Sequence, residues 1–75
     1  MTEYAIIIED VGSNFAAYAP DVPGCVATGQ TIDEVTSRME TALEMHFELM
    51  REHGEPIPAA TSRASNVHVH GTTRR

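Results

Sequence analysis

Between Thr31 and His53 the chain carries neither glycine nor proline, and Gly54 follows at once. No other feature restricts the fold as much. Thr31 precedes Ile32, and Glu34 stands three residues after Thr31. In this capping-box pattern the two side chains satisfy orphan N–H groups at a helix start. Gly54 supplies the residue type that commonly ends a helix in the left-handed conformation. Ile32, Val35, Met39, Ala42, Leu43, His46 and Met50 recur at helical spacing and predict an apolar face, with Glu40, Glu44 and Glu48 on the opposite side. About 22 residues at 1.5 Å each make a helix roughly 33 Å long. In a chain of 75 residues, whatever else folds must be short and must lie against that helix.

The remaining segments read as strands. Tyr4-Ala5-Ile6-Ile7-Ile8-Glu9 is rich in β-branched residues, and its nearly continuous apolar run predicts a central strand covered on both faces. Asp10-Val11-Gly12-Ser13-Asn14 is turn chemistry, and residues 14–19 complete a hairpin. There Phe15, Ala17 and Ala19 share one face, Ala16 and Tyr18 the other. Pro20 and Pro23 close the second strand, since neither can donate to a ladder. Cys25-Val26-Ala27-Thr28 predicts a third, weaker strand stopped by Gly29. After the helix, Glu55-Pro56-Ile57-Pro58 is an extended exit and residues 59–65 are a loop. Asn66-Val67-His68-Val69-His70 alternates strictly and predicts a fourth strand with its valines inward. Residues 71–75 are expected to fray, leaving 1–70 as a single domain.

The order is β-β-β-α-β, an α+β fold with an antiparallel-rich sheet and one long helix lying diagonally across one face. A chain this short buries only about 60% of the surface it exposes when unfolded. With Cys25 as its one cysteine it has no internal disulfide. The uncovered far face of the sheet therefore predicts a homo-oligomer, a dimer or a tetramer. The acidic N-terminus is unlike a signal peptide and no apolar run reaches membrane length, so the expected compartment is the cytoplasm.

Charge is unevenly distributed. Residues 1–55 hold all eleven acids and two arginines, a net −9, whereas residues 56–75 hold three arginines and no acid, a net +3. An acidic body repels phosphate backbones and suits a basic partner, although solubility alone would also account for it. Glu40, Glu44, Glu48 and Glu52 stand at successive i, i+4 positions. Like charges so spaced cost roughly 0.2–0.5 kcal/mol per pair, and the last two also face the negative end of the helix dipole. A surface that docks on a basic partner would explain that cost; a plain solvated face is the competing reading. Catalytic chemistry is sparse. Cys25 follows Gly24 in a turn with no histidine near it in sequence, so a small buried residue is its expected role. His46 reads as a core histidine and His53 as a last-turn cation. His68 and His70, spaced i, i+2, would share one strand face, yet two ligands are too few for a structural zinc site. No cofactor or metal is called for, and no glycine loop could cradle a phosphate.

One set of motifs is more specific. Pro20-Asp21-Val22-Pro23-Gly24-Cys25 is followed by Gly29-Gln30-Thr31 at the helix start and Gly54-Glu55-Pro56-Ile57-Pro58 at its exit. In this order and spacing, over about residues 4–58, the chain resembles the HicB-type antitoxin family. Gln30 stands where that family often has an acid, and Val35 where it often has alanine. Pro20, Asp21, Pro23, Gly24, Cys25, Thr31 and Gly54 carry the motif, with folding roles: the prolines fix φ, Gly24 permits positive φ and Thr31 caps. The resemblance implies a partly degraded RNase H-like fold. It also implies a non-enzymatic antitoxin that neutralises a small, basic, RNA-cleaving HicA-type toxin. The helix face with Glu40, Glu44, Glu48 and Glu52, singled out above by their spacing, or the sheet edge, is the surface expected to bind that partner. Many members continue into an operator-binding module. About 17 residues follow Pro58, so the expectation is toxin binding without DNA binding; Arg63, Arg74 and Arg75 are too few to replace a recognition helix. Two alternatives stand beside this. A metal-dependent nuclease would use Glu9 and Asp10 at the end of the first strand. An orphan oligomeric regulatory or ligand-binding domain would have no toxin.

Overall fold

A computed structural model describes residues 2–71. Three strands, β1 (Ile7–Asp10), β2 (Phe15–Tyr18) and β3 (Val26–Gly29), precede a single helix, α1 (Ile32–Glu52). The sheet is antiparallel throughout, in the order β1-β2-β3. This is the α+β arrangement that the alternation and the helical run predict. The β1–β2 connection closes where Val11 N–H donates to the Asn14 carbonyl at 3.0 Å and the Asp10 carboxylate accepts from Gly12 N–H at 2.9 Å. Ile8 pairs with Ala17 and Ala17 with Ala27, so Ile8, Ala17 and Ala27 look toward α1. Ile7, Tyr18 and Val26 form the next cross-strand row, on the opposite face. Tyr18 and Val26 are exposed in that row.

The core is thin: Ala17, Ala19, Val22, Cys25, Val35, Met39 and Phe47. Met39, Val22 and Val35 are its largest wholly enclosed side chains, each stabilising the fold by about 1.5–3 kcal/mol relative to exposure. Phe47, absent from the apolar face read from sequence, is one of the three helix residues that are buried. Tyr4 accounts for this: its ring lies 5.1 Å from Phe47, tilted by 46°. Two residues of the expected face are displaced outward. Ile32 is 54% exposed because it is the first residue of α1, while burial starts at Val35. His46 is only half-buried, with its ring edge toward Phe47 at 6.4 Å.

Two strand expectations are corrected. β1 lies at an edge of the sheet, with β2 in the centre; its residues are half-buried or exposed, so no second layer covers it. The apolar run in residues 4–8 reflects one face packed on the core and another left open. The fourth strand expected over residues 66–70 does not form; Val67 and Val69 are 83% and 68% exposed. The segment after α1 is tied down earlier. Tyr4 Oη donates to the Pro58 carbonyl, and Thr61 and Ser62 are bound by Asp21 just after β2. Residues 60 and 62–64 lie against residues 3–5, ahead of β1, and the described chain beyond them runs on without pairing with a strand. Of the frayed tail expected over 71–75, residues 72–75 lie outside the described residues.

Candidate functional site

The corner between β2 and β3 is two consecutive β-turns sharing Val22. Val22 N–H donates to the Ala19 carbonyl at 3.1 Å, and Cys25 N–H to the Val22 carbonyl at 3.2 Å. In the second turn Pro23 occupies the position that favours φ near −65°, and Gly24, at φ +86°, the one that needs a left-handed residue. Val22 is thereby driven into the core with no exposure at all. Cys25 is buried beside it, and burial pushes its thiol pKa up, away from the reactive thiolate.

Asp21, between the two prolines, does the long-range work of this corner. Its carboxylate accepts from Ser62 N–H and Thr61 N–H, each at 2.8 Å, and from the hydroxyls of Ser62 at 2.8 Å and Thr61 at 3.0 Å. These bonds, the backbone bond from Ser62 foremost, hold its pKa below the ordinary carboxylate value. Thr61 and Ser62 went unnoticed in the sequence. The available signal was an adjacent hydroxyl pair with two free N–H groups, a match for one carboxylate.

The helix termini are built locally. Thr31 Oγ1 accepts from Glu34 N–H at 3.0 Å, and the Glu34 carboxylate accepts from Gln30 N–H, one residue earlier than in the usual capping box. Arg38 joins this group, donating to Glu34 at 3.2 Å and to the Thr28 carbonyl at 3.0 Å, so the first turns of α1 are bound to β3. At the other end Gly54 N–H donates to the Arg51 carbonyl and Glu55 N–H to the Met50 carbonyl, with Gly54 at φ +71°. That pair of bonds is a Schellman motif.

The four glutamates on α1 do not form one straight stripe. Each step of four residues advances by about 40° beyond a full turn, so the row winds round the helix. Glu40 and Glu44 fall at the rim of an open groove of about 760 Å³ between residues 2–6 and α1, floored by Tyr4, Ile6, Met39, Leu43, Phe47 and Ile57. Glu48 and Glu52 lie outside it. Glu48 pairs with Arg51 at 2.8 Å, an exposed contact of small energetic weight. Among the described residues Glu40, Glu44 and Glu52 have no ion-pair partner. Where the row winds away from the groove it runs beside Met45 and Leu49, 63% and 54% exposed. The outer helix surface thus presents apolar side chains beside unpaired carboxylates, a composition suited to docking a cationic protein surface.

Catalytic groups are not brought together in the same way. Glu9 and Asp10, as neighbours on a strand, project to opposite faces, and Asp10 is engaged by Gly12. Among the described residues no three His, Cys, Asp or Glu side chains converge as a metal site. His68 and His70 are exposed and lie outside any strand. Among the same residues no helix is long and apolar enough to cross a membrane.

Over 55 residues, 73% of this chain, it is 38% identical to an uncharacterized 14.9 kDa protein of Haemophilus phage HP1, covering 41% of that protein's length. Over 58 residues it is 33% identical to a UPF0150 protein of Archaeoglobus fulgidus, covering 84% of that protein. The chain thus spans less than half of the phage protein and most of the archaeal one. No solved structure matches it. Residues 4–71 match the family described as the HicB-like antitoxin of bacterial toxin-antitoxin systems. On that match, which takes in the corner motif, all three strands and the capped helix, the chain belongs to the HicB-like antitoxin family.

Proposed function

We propose that this protein is a non-enzymatic antitoxin that binds and neutralises a small, basic, RNA-cleaving toxin of the HicA type in the cytoplasm. Family membership supports an antitoxin role. The observation that carries the rest is the acidic row on α1, in which Glu48 and Glu52 run beside exposed Met45 and Leu49 on the outer face while Glu40 and Glu44 continue it to the groove rim. An RNA-cleaving protein must offer cationic surface to its substrate, and an acidic helix face competes for that surface. The net −9 of residues 1–55 adds long-range attraction and speeds the encounter. We read the β-β-β-α frame as part of an RNase H-like fold retained as a scaffold. The row of Ile7, Tyr18 and Val26 on the open sheet face, with Tyr18 and Val26 exposed, supports self-association into a dimer or tetramer.

The test is capture of a cognate basic toxin, expressed from the neighbouring reading frame, by the full chain at a series of salt concentrations. Binding should weaken steeply with salt. The Glu44→Lys/Glu48→Lys variant should lose roughly tenfold or more in affinity. Affinity that ignores both salt and charge reversal would refute the electrostatic interface.

A further inference from the structure

On an α-helix, residues four apart form ridges inclined at about 26° to the axis. Two such ridges lie side by side on the solvent surface of α1. One is the acidic row from Glu40 to Glu52, exposed at each of its four glutamates. The other is Thr41, Met45 and Leu49, each one residue further along and each exposed. Three steps of four residues at 1.5 Å make the channel between them about 18 Å long. One of its walls is carboxylate and the other is largely apolar. Since α1 packs on the sheet through Val35, Met39 and Phe47, this channel faces away from the fold.

We infer that the channel receives an amphipathic helix of the basic partner, with an apolar row seated against Met45 and Leu49 and a neighbouring row of Arg or Lys against the glutamates. This rests on the antitoxin reading above and names the element through which the partner binds. Ridges at the i, i+4 inclination on both helices give the commonest packing class, with a crossing angle of about −50°. The apolar wall keeps water from one side of the ion pairs, which strengthens them relative to a fully solvated contact. Charge selects a foreign helix over a second copy. A second α1 would bring the same four carboxylates, and its two arginines are already engaged, Arg38 by Glu34 at 3.2 Å and Arg51 by Glu48 at 2.8 Å. A cationic helix instead neutralises Glu40, Glu44 and Glu52, which have no ion-pair partner among the described residues. It also relieves the like-charge repulsion along the row.

The probes are three synthetic peptides of equal charge, titrated calorimetrically into the full chain at low and high salt. The first flanks an i, i+4 row of leucines with arginine rows on both sides. The second has the same composition with leucines and arginines spread evenly round the helix, and the third is the first with a central proline that breaks it. The first should bind roughly tenfold or more tighter than either of the others. Met45→Ser/Leu49→Ser should abolish that advantage without changing the helical circular dichroism signal, because both side chains are exposed. Equal binding of the three peptides, no binding by any, or an advantage that survives Met45→Ser/Leu49→Ser overturns the helix docking and leaves the antitoxin reading standing. Sedimentation showing an oligomer that falls to monomer in Met45→Ser/Leu49→Ser overturns it in favour of a second copy on this face. Failure of the toxin capture described above overturns the antitoxin reading, and this inference with it.

Discussion

Gly29 offers a substitution whose sign separates local from tertiary reasoning. It ends β3 without a left-handed φ, so backbone preference alone would favour alanine there by about 0.4–1 kcal/mol through a less flexible unfolded chain. The packing says the opposite. A Cβ at residue 29 would sit 2.8 Å from Val35 N, 3.0 Å from Val35 Cα and 3.2 Å from the Glu34 carbonyl carbon. All three are backbone atoms in the first turns of α1, held by the Thr31 cap and by Arg38 on Thr28. No side-chain rotation relieves the clash, so the helix must lift from the sheet at the place where burial begins. Overpacking of this kind costs about 1–3 kcal/mol. A domain of this size has only about 4–11 kcal/mol in total. Urea unfolding followed by far-UV circular dichroism at 25 °C would show it. With a slope near 1 kcal/mol/M for so small a protein, Gly29→Ala should lower the midpoint by roughly 1–3 M. Combining it with Val35→Ala should give no rescue, because that change leaves every clashing atom in place. A Gly29→Ala protein as stable as the wild type, or a strong rescue by Val35→Ala, would refute the close approach of β3 and α1.

Other expectations rest on single contacts. Thr31→Ala removes the acceptor for Glu34 N–H and should cost about 0.5–2 kcal/mol. At roughly 4–8 °C per kcal/mol in a domain of this size, thermal unfolding should register the loss. Asp21 has a lowered carboxyl pKa in the folded chain, so its bonds to Thr61 and Ser62 contribute fully above the ordinary value of 3.8. They should be lost as pH falls through the depressed value. Amide exchange at Thr61 and Ser62, corrected for its intrinsic pH dependence, should accelerate over that acid window. In Asp21→Asn it should be fast at every pH, while the exchange of core amides in α1 stays slow; unchanged protection in Asp21→Asn would show that the segment is held by something else.

The elements that could be read directly are those whose causes lie within a few residues. The run from Thr31 to Gly54 carries its own cap, its own Schellman stop and no breaker, so α1 falls within one residue of its expected ends. The turn at Val22-Pro23-Gly24-Cys25 is likewise set by Pro23 and Gly24 where they stand. The alternation at residues 66–70 was equally clear, but a strand requires a partner, and their own chain places none beside them. The candidate surface was only half legible. Four glutamates at i, i+4 announce an acidic row, yet its division between groove rim and outer face depends on what lies against the helix.

From sequence alone came the helix and its ends, the hairpin, the turn chemistry of the Pro20–Pro23 corner and the imbalance of charge. Each depends on φ preferences, capping or composition, which act over less than two turns of helix. The tertiary structure alone decided that β1 is an edge, that Phe47 is buried under Tyr4, that Gly29 touches the α1 backbone, and that Asp21 holds Thr61 and Ser62 about 40 residues away. Such contacts depend on how finished elements pack. Many residue pairs are chemically able to make them, and only the packed geometry selects which pairs meet.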